Sequence, residues 1–453
     1  MKILSIFAVC LHLTIIAACT QTDTTPHNPQ WPGFRGHSAN GIAYNSFPPV
    51  SWNIEESKNI KWKISIPGLS HASPVIWNER LFVVTAVSDV ENPNLKVGLY
   101  GDIESVDEDA VHEWKIYCIN KHTGAILWER TACSGIPITK RHPKSSHANS
   151  TPVTDGKYVV AFFGSEGLYC YDMDGKLIWE KYLGILESSF FKAPTAQWGF
   201  ASSPIIYQST VIVQCDVEND SFLAAFDIQT GKEKWRTSRD EVATWGTPNV
   251  FVQDQKAQVI VNGYKHIGGY DFKTGQEIWK MAGGGDIPVP TPIIANDLIY
   301  ITNAHGRMSP IYAIKTDAIG DISLERGVKT NEYIVWSIER GGNYMQTPLV
   351  YGDYFYACKD NGSLSCFNAI TGEMMYKESI GTGGGGFSAS PVAANGNLYF
   401  TGEKGNIYII QAGPEYKVVA ENSMDDICMA TPTISEDIMF FRTQHSVIAI
   451  AEQ

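Results

Sequence analysis

Apolar residues along this chain come in short alternating runs, not in long helical stripes. Residues 117–128 read YCINKHTGAILW and 169–179 read YCYDMDGKLIW. The same pattern returns as LAAFDIQTGKEKW (223–235), IGGYDFKTGQEIW (267–279) and SCFNAITGEMMY (365–376). Alternation on both sides of a Thr-Gly or Asp-Gly step predicts two strands joined by a tight hairpin. Gly124, Gly175, Gly231, Gly275 and Gly372 stand where the turn needs φ > 0. Trp128, Trp179, Trp235 and Trp279 then fall on the outer strand, where a large aromatic wedges between neighbouring sheets as packing.

A second marker precedes each such unit. Ser73-Pro74, Thr151-Pro152, Ser203-Pro204, Thr247-Pro248, Thr291-Pro292, Thr347-Pro348, Ser390-Pro391 and Thr431-Pro432 are spaced by 78, 52, 44, 44, 56, 43 and 41 residues. A strand-built period of roughly 40–50 residues is that of a β-propeller blade, the longer spacings being a unit plus an insertion. The chain is therefore expected to be all-β, an eight-bladed β-propeller of four-stranded blades. After Pro432 too little chain remains for a full blade and no outer Trp follows. NIKWKIS (59–65), with Trp62, is expected to supply the missing strand and so remove an open edge. Repeat seven has Tyr416 and Val418 where a Trp belongs, and repeat five is irregular between Pro310 and Trp336.

The first 19 residues, MKILSIFAVCLHLTIIAAC, are read as export machinery. The apolar run is too short to span a bilayer and a polar tether follows. Ala17 and Ala18 before Cys19 resemble a lipobox, which implies a signal peptide over 1–18 and lipidation at Cys19. Residues 19–58 then form a tether with a WPGFRG segment, and 59–453 the propeller. Thr20 is not the Asp that retains such proteins at the inner membrane, so the cell envelope, and the outer membrane within it, is the expected location. The formal charge of −13 excludes nucleic acid and attraction to anionic lipid, leaving the lipid anchor as the membrane contact. The remaining cysteines include Cys118, Cys170 and Cys366 in one register of three blades, a small buried position; neither a disulfide framework nor a metal spacing is present.

Charge is locally clustered. Asp89, Glu91, Asp102, Glu104, Asp107, Glu108, Asp109 and Glu113 face only Lys96 in the insertion of the first repeat. That is a solvated loop, or a Ca²⁺ or partner site without EF-hand spacing. TKRHPKSSHANS (139–150) is the one basic cluster, a solvated loop or an anion site.

The paired markers resemble those of the quinoprotein alcohol dehydrogenase-like superfamily, the pyrroloquinoline quinone (PQQ) repeat propellers, over nearly the whole chain after the leader. WPGFRG (31–36) resembles the opening of bacterial PQQ-binding-like propellers, and the same repeat builds the lipoprotein scaffold of outer-membrane β-barrel assembly. The dehydrogenases of this superfamily carry an adjacent-cysteine disulfide over PQQ and a calcium ion. No two cysteines here are adjacent, and no C-x-x-C-H haem motif exists. The resemblance therefore implies a non-catalytic binding or scaffold module, with a PQQ- and calcium-dependent dehydrogenase oxidising an alcohol or sugar as the alternative. A protein or a small polar ligand is expected at one face, where the loops before each inner strand and between second and third strands converge. Candidates there are His71, His147, Trp198, Trp245, Asp286, His305, Arg307, Tyr344 and Phe387. Asp286, His305 and Arg307 beside Trp245 would pair an oriented base with a carboxylate clamp, or would tie two loops as a structural pair.

Overall fold

The computed structural model describes residues 29–90, 94–100, 103–381 and 385–453. The leader, Cys19 and the first part of the tether lie outside the described residues. Eight four-stranded antiparallel cores make the ring, with only two single-turn 3-10 helices among the described residues. Blade one is Val75–Trp77, Arg80–Ser88, His112–Asn120 and Ile126–Gly135. Blades two to seven occupy 153–181, 205–238, 249–281, 293–338, 349–379 and 392–423. Blade eight joins Thr433–Ser435, Ile438–Arg442 and Ser446–Ile450 to Ile60–Ser65, with Ile60 opposite Ile450 and Ser65 opposite Ser446. The expected closure by an N-terminal strand is what the chain adopts. Blade five is irregular because its outer hairpin is replaced by a long connection, whose Gly320–Asp321 adds a parallel edge to blade four.

Both repeat markers turn out to be joints between blades. The turn glycine of one blade sits under the outer Trp of the blade before it. A Cβ at Gly175 would meet Trp128 at 2.8 Å, and one at Gly231 would meet Trp179 at 2.8 Å. The indole N–H of each Trp donates to a carbonyl of the following blade: Trp62 to Lys121, Trp128 to Met173, Trp179 to Ile228, Trp235 to Phe272 and Trp336 to Ala369. Trp279 departs from this. It donates to Gln258 of its own blade, because blade five offers no turn glycine to receive it.

The Ser/Thr-Pro steps line the axis. Each proline immediately precedes an inner strand, and at six of the eight steps the hydroxyl before it accepts the backbone N–H of its counterpart in the previous blade. Ser73 donates to Thr151, Thr151 to Ser203 and Ser203 to Thr247, at 2.9–3.1 Å. Thr291 donates to Thr347, Thr347 to Ser390 and Ser390 to Thr431, at 2.9–3.0 Å. A small hydroxyl residue is thus required where eight strands converge and each N–H would otherwise be orphaned.

One boundary needs correction. Residues 31–58 were expected as a tether and lead-in segment ahead of the propeller, but they are built into it. Trp31 pairs with Ile76, Pro32 O accepts from Thr154, and Ile42–Ala43 lies parallel to Val392–Ala394. Between them Arg35 is fully buried and donates to the carbonyls of Pro348 and Pro391, at 2.7 and 3.1 Å. With no carboxylate in those bonds, burial pulls its guanidinium down to about 9. Gly41 has φ +74°, and a Cβ there would collide with Arg35 at 2.5 Å, which accounts for the glycine after WPGFRG. Trp52 is clasped through Asn422 and packs on Phe441 of blade eight. The segment plugs the axis from one side.

Candidate functional site

Above the plug, the hydroxyl ring floors an axial chamber of about 150 Å³. Phe34 of the plug reaches it from below. Trp198, Trp245, Ile287, Val289, Tyr344, Met345 and Met429 make the walls, with His71, Lys144 and Asn149 as the polar points. Trp245 is held by its indole bond to Gly199 O (2.8 Å) and by the backbone bond from its N–H to Pro288 O. Thr244 before it donates to Asp216, whose carboxylate is fully buried against Arg239 at 2.7 and 3.1 Å. Trp198 stacks flat on His142, centroids 3.8 Å apart.

Two polar atoms facing the chamber stand out. His71 Nε2 and Trp198 Nε1 are buried and have no hydrogen-bond partner among the described residues. Burial, with Arg141 adding to it, pushes the His71 imidazole down to about 3, so it is neutral at neutral pH.

The acidic insertion and the basic loop meet over this face and pair with each other, so neither is a free solvated loop. Arg141 bonds Glu108 through Nε at 3.1 Å and also through Nη2; Lys140 takes Asp107 at 2.8 Å. Gly98 of the insertion crosses to blade seven, where its N–H donates to Glu403 at 2.7 Å. Lys144 pairs with the same buried carboxylate at 2.6 Å. The two segments neutralise each other and form a roof. The hairpin Ser189–Phe190 and Ala193–Gln197 joins it through Ser105.

The other candidates disperse. Asp286 is buried and its amide bonds His305 O at 3.2 Å, but its carboxylate is taken by Lys192 of that hairpin. His305 has φ +82° and stacks on Tyr344 at 6.0 Å, while Arg307 is exposed. His147 bonds Glu108 at 2.8 Å, away from the chamber. Phe387 packs on Tyr408 in the joint between blades six and seven. Sequence reasoning missed Lys192 and Arg35; only the resemblance of WPGFRG pointed towards the last.

A calcium-assisted quinone would need carboxylate oxygens on the axis. No Asp or Glu lines the chamber, and Glu403 nearby is committed to Lys144, Gly98 and Ser388. The described cysteines are free and none is adjacent to another. The residues present do not fit PQQ with calcium.

The sequence profile of one family, described as outer membrane protein assembly factor BamB, matches residues 112–327 and 287–413. Outer membrane protein assembly factor BamB of Burkholderia pseudomallei is 29% identical over 123 residues, 26% of this chain and 31% of that protein. Tetrathionate hydrolase of Acidithiobacillus ferrooxidans is 24% identical over 311 residues, 61% of this chain and 57% of that one. The chain thus spans between about a third and just over half the length of these relatives. Among solved structures, a europium-containing methanol dehydrogenase superposes with a TM-score of 0.63 at 11% identity, covering 92% of this chain and 91% of that chain. That likeness speaks for the fold alone.

Proposed function

The chain belongs to the family of outer membrane protein assembly factor BamB, and from that premise we propose that it is a cell-envelope propeller that acts by binding rather than by catalysis. The observation that carries this reading is the pair of unpartnered buried atoms, His71 Nε2 and Trp198 Nε1, in a chamber with aromatic and aliphatic walls and no carboxylate. Buried polar groups are normally satisfied, so such atoms mark a place for a ligand or ordered water. The chamber suits a compact ligand, because its volume is that of about five waters at ~30 Å³ each. An apolar or aromatic body would lie between Trp198 and Trp245, and an acceptor oxygen would take the indole N–H.

Titration of compact aromatic carboxylates against tryptophan fluorescence tests this. Trp198→Phe keeps an aromatic ring in place while removing the N–H, so binding is expected to weaken about tenfold, the scale of one hydrogen bond near 1–1.5 kcal/mol. Equal affinity in wild type and variant would refute the chamber as the site. Dye reduction with an alcohol or sugar in the presence of PQQ and calcium would replace this reading by the dehydrogenase one.

Anchoring is proposed through a lipidated Cys19, at the outer membrane. Cys19→Ser is then expected to move the protein from the membrane to the soluble fraction, since a two- or three-chain lipid is what makes such attachment stable. Retention of the variant in salt-washed membranes would show another membrane contact.

A further inference from the structure

Away from the chamber, two imidazoles and a carboxylate converge under the roof. Glu108 of the insertion, His112 at the start of a blade-one strand and His147 of the loop leading into blade two place their ligand atoms within 4.8 Å of one another. Their side chains are 13%, 5% and 6% exposed. We infer that these three residues bind a divalent first-row transition ion such as zinc.

The donor set suits that class. Imidazole with carboxylate favours zinc, copper, nickel or ferrous iron over calcium or magnesium, which prefer oxygen alone. Tetrahedral zinc with bonds of about 2.0–2.1 Å separates its ligand atoms by about 3.3 Å. Glu108 Oε2 lies 2.8 Å from His147 Nε2 and 3.7 Å from His112 Nε2, on either side of that value. Small rotations of the side chains would equalise them.

The surroundings orient the ligands as metal sites require. His112 Nδ1 lies 3.0 Å from Ala110 O; a carbonyl only accepts, so Nδ1 carries the proton and Nε2 presents its lone pair to the centre. Trp114 donates to His147 O at 3.0 Å and packs edge-on against its ring. Burial lowers the His147 imidazole even though Glu108 opposes this, which keeps the neutral form available. Metal binding would replace the N–H bond from His147 to Glu108, with the single proton of the neutral imidazole carried on Nδ1 instead of Nε2. Arg141 holds the Glu108 carboxylate in place through Nε at 3.1 Å and through Nη2. Arg141 opposes a cation by its charge but fixes the carboxylate.

There is also room for a fourth ligand. The three residues border a cavity of about 460 Å³ between blade one, its insertion and blade eight, shared with Asp107, Asp109 and His445. A closed structural site has no such opening, whereas a site that keeps water or an exchangeable ligand does.

The test uses tag-free protein stripped with a chelator, titrated with Zn²⁺ by calorimetry and with Co²⁺ by visible absorption. One equivalent is expected, with the spectrum of a four- or five-coordinate nitrogen and oxygen site. His112→Gln and His147→Gln should each weaken Zn²⁺ binding by more than about 100-fold, beyond the 10–100-fold cost of outer-shell changes. No uptake of either ion by the wild type overturns the inference. So does uptake undiminished in both variants, which would mean an adventitious site elsewhere. Should the variants fail to fold, histidine-labelled wild type with Co²⁺ decides by NMR. Two shifted imidazoles support the site and none overturns it.

Discussion

Deleting residues 29–66 is expected to leave no soluble ring, whereas deleting only residues 29–43 should leave a folded, less stable one. The longer truncation removes Ile60–Ser65, and with it the whole outer pairing of Ser446–Ile450. Those five residues are all buried, so their loss of cover exposes an apolar strand edge. Trp62 goes too. Its indole bond to Lys121 ties blade eight to blade one, its ring packs on Phe440 within blade eight, and Gly124 of blade one loses the ring it packs against. The Lys121–Glu436 pair would remain as the polar link across that seam. Burying a large aromatic alone is commonly worth about 3–5 kcal/mol, against a total stability of roughly 5–15 kcal/mol. The shorter truncation removes the plug but keeps all eight four-stranded cores. Size-exclusion chromatography and thermal melting distinguish them; similar elution and melting for both would refute closure as the decisive contact.

Arg239→Met is expected to destabilise the protein by about 3–5 kcal/mol, the cost of leaving a buried charge without its partner. Asp216 is fully buried and takes Arg239 Nε at 2.7 Å and Nη2 at 3.1 Å, with Gln214 and Thr244 completing its shell. Arg239 also donates to Tyr270 Oη at 2.6 Å and to His266 O at 2.7 Å. Adding Asp216→Asn should recover part of the loss, since the neutral amide no longer needs a cation. Denaturant unfolding of the single and double variants measures both effects. A change under about 1 kcal/mol for Arg239→Met would mean that the pair is screened by water. Because Thr244 hangs from Asp216 and leads into Trp245, the single variant should also loosen the chamber wall.

The ring was legible because each blade repeats the same two solutions to the same two problems. A hydroxyl ahead of proline meets an orphaned N–H at six axial steps, and a glycine meets an indole at five of the outer joints. Periodicity exposes both, and it located the closing strand through Trp62. The roof had no such signal. Glu108, Arg141, Lys144, Gly98 and Glu403 come from three distant stretches that obey no period, so their charges read as two separate clusters. Asp286 meets His305 through its backbone N–H, while its carboxylate takes Lys192, from a hairpin that the repeat does not predict. His71 and Trp198 were named for their loops alone; what singles them out, an unmet hydrogen bond, exists only once the neighbours are in place.

The closing strand also sets an order of events in time. Gln453 Nε2 donates to the carbonyl of Ile60, 393 residues earlier in the chain. During synthesis Ile60–Ser65 emerges long before its partner and must wait, unpaired, for the last strand to be released. Closing so long a loop costs entropy that grows only slowly with length, so the delay matters more than the distance. Seven blades can form progressively as the chain appears, but the ring becomes a ring in a single final step. Until then its first strand is the segment most exposed to capture by chaperones, proteases or a second nascent copy.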